Sequence, residues 1–225
     1  MFSPSSTVRT MLKSGLASAI TLVGGVILGG LVGFIAFESL PGHMMEAARI
    51  GFSVLPALSG MVIGGALWGG WMARIIGIDE TKRMAWAGGL GYGGSVILAG
   101  VVLSGLEVVL VENSADPIMP LHRVFTLLFV PAIFFVAGMG AFSLGIGLKN
   151  PHLGGWMGIR AGLGSALTFL LVNQVMEAMG WIVGAPGAAE RSTMITVLMV
   201  GNLGAAIVGG LIIGAALGKY RKTRS

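Results

Sequence analysis

Cysteine is absent from the chain. Disulfides, thiolate metal sites, iron–sulfur clusters and covalently attached haem are thereby excluded. Charge is almost as scarce: Asp, Glu, Lys and Arg make up 10% of the residues, against about 25% in a soluble domain that must face water on every side. His43, His122 and His152 are the only histidines, and no two stand at a metal-ligand or bis-haem spacing, so no metal site is expected. The chain also lacks HExxH, GxSxG and phosphate-loop motifs, and no helix face carries two carboxylates. No enzyme and no cofactor are expected.

What is present is apolar. Hydrophobic residues make up 55% of the chain and the mean hydropathy is +0.90, enough to meet lipid where charge is too sparse to meet water. Charge-free stretches run over Ser14–Phe37, Ile50–Ala73, Met84–Leu106, Val124–Leu148 and Ser192–Gly218. A sixth runs over Ala161–Met176 and continues past Glu177 to Val183. Crossing the hydrocarbon takes roughly 20 apolar residues at 1.5 Å each, so each stretch is long enough to span. The first run is too long for a signal-peptide core and is expected to be a mature helix. The expected fold is all-α: a polytopic membrane bundle of six transmembrane helices in one domain, residues 1–225.

Basic residues orient it. Arg9, Lys13, Arg74, Lys82, Arg83, Lys149, Arg160, Lys219, Arg221, Lys222 and Arg224 fall on the side of the termini, and only Arg49, Arg123 and Arg191 fall on the other. Lys and Arg in short loops are retained in the cytoplasm, so N-in, C-in topology is expected, in a bacterial inner membrane. The net charge of +5 is read as this topology signal. No basic stripe interleaved with aromatics exists to suggest nucleic acid.

The chain repeats itself at roughly 70 residues, the length of two membrane helices and their loops. Segment 14–21 (SGLASAIT) matches segment 161–168 (AGLGSALT), and segment 92–98 (YGGSVIL) is a weaker third copy. Trp86 pairs with Trp156, and Glu107 with Glu177. Arg49, Arg123 and Arg191 each open an even-numbered helix, and Gly77, Gly147 and Gly218 are each expected to close one. The units are in–out–in hairpins over residues 11–78, 84–149 and 154–219. They are parallel, and approximate threefold symmetry about the membrane normal follows.

Glycines, 39 in all, recur at four-residue spacing: Gly25, Gly29 and Gly33; Gly65 and Gly69; Gly89 and Gly93; Gly154, Gly158 and Gly162; Gly210, Gly214 and Gly218. Residues four apart share a helix face, so each set is expected to form a flat groove where another backbone can approach. Residues 89–94 also fit GxGxxG, a dinucleotide signature only between a strand and a helix, and here read as packing. Methionines are read as gap fillers. The tryptophans are read as interfacial anchors, with Trp68 somewhat deeper than the rest.

Few polar groups fall within the spans: Glu107, Asn173, Gln174, Glu177 and Asn202. Asn173 and Asn202 are placed about ten residues deep, roughly 15 Å and near the midplane. Ionisable groups in a membrane point to function, because burial without a partner costs several kcal/mol. These five are the candidate polar path; the competing readings are helix–helix hydrogen bonding and pairing of the two glutamates with Arg123 or Arg191. Arg49, Arg123 and Arg191 form a candidate outer ring, with local ion pairs to nearby acids as the favoured use.

Three tandem two-helix units resemble the mitochondrial carriers in architecture, but their Pro-x-acid-x-x-base signature is absent. Glycine-rich hairpins with a carboxylate resemble the proteolipid subunits of rotary ATPases, but Glu107 and Glu177 stand on first helices and not second ones. Neither resemblance transfers a function. Two expectations follow. One is a small transporter or channel for an ion or small solute. The other is a non-catalytic accessory subunit that packs through its glycine faces in a larger complex, contacting lipid, quinone or pigment. The expected partners are the lipid bilayer and either further copies of the chain or other membrane subunits.

Overall fold

The computed structural model describes residues 4–41, 46–107, 121–180 and 188–224. Among these residues there are six helices and no strand. Helix α1 covers residues 4–39, as an α-helix Pro4–Ser18, a π-turn Ala19–Val23 and an α-helix Gly24–Ser39. Helix α2 is Glu46–Ile76. Helix α3 covers residues 81–107 and is built as α1 is, with a π-turn Gly89–Gly93 between Thr81–Gly88 and Gly94–Glu107. Helices α4, α5 and α6 are Leu121–Gly147, Pro151–Ala178 and Ala188–Arg224.

Helix ends follow local chemistry. Gly77 takes a left-handed conformation (φ +69°) that lets the Ile78 N–H reach back to the Ala73 carbonyl at 3.1 Å, closing α2. Between α4 and α5 the left-handed residue is Lys149 (φ +56°), two places past the expected Gly147. The Asn150 side chain then accepts from the Leu153 N–H at 3.0 Å and caps α5, whose first residue, Pro151, has no N–H to leave unpaired. The third expected stop is corrected. Gly218 lies inside α6, which runs on to Arg224, because its bare surface is occupied by Thr7 and Thr10 of α1.

Five helical segments are long and apolar enough to cross a membrane: Thr7–Ser39, Thr81–Leu103, Thr126–Gly147, Pro151–Ala178 and Met199–Arg221. Their outer faces carry the large side chains. Leu28, Phe34, Leu90, Val101, Ile159 and Leu171 are each more than half exposed. Water would not tolerate an apolar surface this continuous, so the protein is placed in a membrane.

Each helix packs against the next in sequence, and α6 packs against α1, so the six close into a ring. The crossings are made at glycine. A Cβ on Gly60 would lie 2.4 Å from the Gly29 Cα, and one on Gly25 would lie 2.8 Å from the Gly64 Cα, which sets α1 on α2. Gly65 and Gly69 meet the α3 backbone at Gly88 and Met84, while Gly89 and Gly93 meet Val62. Gly154, Gly158 and Gly162 face Phe142, Gly138 and Phe134 of α4. Gly210 and Gly214 face Ser18 and Ser14 of α1. Gly33 is buried.

Two glycines in one stretch of α1–α2 therefore give opposite expectations. Gly60→Ala places a methyl against backbone that cannot move aside and should destabilise the protein by ~1–3 kcal/mol. Gly24→Ala, whose Cβ meets nothing within 4 Å, should be neutral or gain up to about 1 kcal/mol of helix propensity. Thermal unfolding of the two variants in one detergent checks the ordering, and equal melting temperatures would remove the close crossing from the account.

Candidate functional site: a sealed interior and a buried amide

The half of the ring nearest the termini is filled. Helix α2 sends in Trp68, Met72 and Ile76, α4 sends Leu144 and Leu148, and α6 sends Ile213 and Leu217, all four residues apart along their helices and at most 2% exposed. Met84, from the first turn of α3, and Met157, from the second turn of α5, complete the plug. One face of each even-numbered helix is thus committed to the centre.

Trp68 stands at the top of this plug and touches three other helices. Its indole N–H donates to the Ser18 hydroxyl of α1 at 2.9 Å. Its ring meets Tyr92 of α3 at 6.3 Å between centroids, tilted by 54°. On the α4 side it lies against Gly140, where a Cβ would be 3.6 Å from the indole. The π-turns make room for this. A π-turn holds one residue more than an α-turn, so side chains either side of it point in directions a regular helix would not allow. In α3 it sets Gly89 and Gly93 against α2 and Gly91 against Ser143 of α4, and brings Tyr92 beside Trp68. In α1 it begins one residue after Ser18.

Three serines are buried alike. Ser18, Ser95 and Ser165 are 1%, 5% and 1% exposed, so each hydroxyl has to find its partner inside the protein. Ser18 receives Trp68, Ser165 donates across to the Ala205 carbonyl of α6 at 2.9 Å, and Ser95 turns back to the Tyr92 carbonyl at 2.7 Å.

Farther from the termini the interior changes character. Phe129 of α4 stacks on Phe169 of α5 with centroids 6.2 Å apart, beside Ile133 and Ala205. One turn beyond Phe169 comes Asn173, 3% exposed. Its amide nitrogen donates to the Phe169 carbonyl at 2.7 Å, and its amide oxygen is buried with no hydrogen-bond partner among the described residues. The nitrogen faces Gly201 of α6, where a Cβ would lie 2.8 Å away. Asn202, the next residue, and Glu177, one turn beyond Asn173, are both half-buried and each is engaged by a neighbour. Gln174 is corrected: it is exposed on another face of α5, because one residue along a helix turns the side chain by about 100°.

The side chains of Glu107, Arg49, Arg123 and Arg191 lie outside the described residues, and so do the turns at 42–45, 108–120 and 181–187. Among the described residues no three His, Asp or Glu side chains come together at metal-binding distance. At the periphery, Arg160 lies over the Trp156 ring, 3.8 Å from its centroid, and Trp86 is 70% exposed. Ser18, Tyr92 and the central position of Trp68 are not among the candidates that the sequence offers. The repeated serine was the available signal.

The indole–serine contact is open to a double-mutant cycle. Ser18→Ala strands the Trp68 N–H in an apolar interior and should cost ~1–2 kcal/mol. In a Trp68→Phe background the same change should cost clearly less, since no donor is left to strand. Thermal melts of the four proteins decide it, and strict additivity would mean that the bond contributes nothing. Comparison with protein-family models, curated proteins and solved structures gives no match, so function is argued from this geometry alone.

Proposed function

We propose that the chain is a small six-span transporter or channel for an ion or small solute, with its termini in the cytoplasm and its path closed on the terminal side. The observation that carries this reading is the commitment of the glycine faces. Gly25, Gly65, Gly69, Gly89, Gly93, Gly158, Gly162, Gly210 and Gly214 are all spent on neighbours inside one closed ring. A subunit built to pack on foreign helices would keep such faces outward. A ring that closes on itself encloses an axis, and an axis is what a permeation path requires.

The plug then acts as the closed gate, with Trp68 as its upper face. Three i, i+4 pairs from α2, α4 and α6 meeting on one axis agree with three parallel hairpins related by approximate threefold symmetry. Above the gate, Asn173, Asn202, Glu177 and Glu107 are the polar groups for a passing solute. Asn173 offers a buried carbonyl-type acceptor without a donor among the described residues, suited to a cation or a hydrogen-bond donor. Gln174 is outside this path. The orientation rests on the excess of Lys and Arg at the terminal end.

Reconstituted Trp68→Ala tests the gate. Removing the indole leaves a cavity and costs ~3–5 kcal/mol of stability. Liposomes that hold it should become leaky to small ions or neutral solutes in a swelling assay, and Asn173→Leu added to it should reduce the leak. A monodisperse Trp68→Ala protein that leaves liposomes as tight as wild type would sink the gate. Wild-type particles in a fixed ratio with other membrane proteins would turn the assignment to an accessory subunit.

A further inference from the structure

On the outside of the ring, α1 and α2 leave between them a groove of about 930 Å³ that reaches the start of α3. Its floor is the α1–α2 backbone, open at Gly24, where an added Cβ meets nothing within 4 Å. Leu28, Ile63 and Leu67 form its walls and are 62%, 58% and 61% exposed, so the groove opens sideways to the lipid. From Ser59 to Arg74, both of which line it, the distance along α2 is roughly 22 Å, longer than the ~15 Å of hydrocarbon in one leaflet.

The groove is polarised along its length. Its terminal end is formed by Trp71, Arg74 and Thr81, and most of the rest is apolar. Arg74 is exposed and has no ion pair among the described residues. Of the two acids in the following turn, Asp79 and Glu80, the second is occupied: Glu80 pairs with Arg83 at 3.2 Å, and Arg83 also donates to the Gly147 carbonyl. Trp71 stands one turn from Arg74, at the depth where indoles meet headgroups. A guanidinium at one end of a long glycine-floored trough matches the layout of one molecule, an anionic head on an extended apolar chain. A helix from a partner protein would match the trough only if it also placed an acid at Arg74.

We propose that this groove is a specific site for one anionic phospholipid of the leaflet nearest the termini, its phosphate on Arg74 and an acyl chain along the glycine floor. The proposal rests on the membrane location and holds whether or not a solute crosses the ring. Two variants isolate its parts without disturbing the helix crossings. Arg74→Gln removes the charge alone. Gly24→Leu fills the trough at a position where an added Cβ meets nothing within 4 Å.

The test is native mass spectrometry of the full chain released from nanodiscs of mixed phosphatidylglycerol and phosphatidylcholine. Wild type should retain one phosphatidylglycerol per chain. Arg74→Gln should lower the preference for it over phosphatidylcholine roughly fivefold, the effect of one basic residue at a membrane surface. Gly24→Leu should lose the retained lipid while keeping the wild-type melting temperature. A chain that retains no lipid, retention indifferent to both variants, or a protein bound in stoichiometric amount in place of lipid would each overturn the site.

Discussion

In lipid, bringing two apolar helices together removes no hydrocarbon from water, so attraction must come from contact itself. Dispersion falls away steeply with distance, and only close backbones collect enough of it. This constraint explains the composition of the protein. Where α1 crosses α2, and where α4 crosses α5, a single methyl would collide with the opposite chain; a Cβ on Gly145 would stand 2.1 Å from the Gly154 Cα. Large side chains are displaced to the outside, where Leu, Ile and Phe meet acyl chains. The helix crossings are built from small residues and the lipid-facing surface from large ones.

Everything in the interior follows from that closeness. Helices held by backbone contact leave little space at the centre, and one large residue per level fills it. Trp68 does so at mid-height, and the smaller pairs Met72 and Ile76, Leu144 and Leu148, Ile213 and Leu217 fill it towards the termini. Polar atoms admitted to such a place have to bond to one another or to backbone. Ser18 with Trp68, Ser165 with the Ala205 carbonyl and Thr21 with the Ala17 carbonyl obey that rule. The Asn173 amide oxygen does not obey it among the described residues, and for that reason it carries more functional weight than the satisfied serines.

The outside is not uniform either. Most of the ring presents a continuous hydrocarbon face, but α1 and α2 splay into a trough with a cation at one end. Tight crossings at Gly25 and Gly60 and an open floor at Gly24 coexist within a few residues, because successive residues on a helix face different neighbours. A glycine-rich sequence therefore serves two purposes: contact on the inner face and vacancy on the outer.

Helix number, approximate extent and apolar exterior were legible in the chain alone, since hydropathy and the distance between charges are local properties. The four-residue glycine spacing was legible for the same reason, and so was the placement of Asn173 on an inner face. What folding alone decided is which surfaces meet. Gly218 was expected both to share a packing face and to stop its helix, and only the packing holds, because Thr7 and Thr10 of α1 lie on it while α6 runs on. Gln174 looked equivalent to Asn173 and faces outward, a matter of helix rotation that neighbouring helices fix. The π-turns at Ala19–Val23 and Gly89–Gly93 have no sequence signature, because an extra residue in a turn is held by contacts from neighbouring helices, α2 and α6 for the first and α2 and α4 for the second, and not by local preference. Trp68 could be read as deep, but its partners come from three different helices, and only the closed ring brings those together.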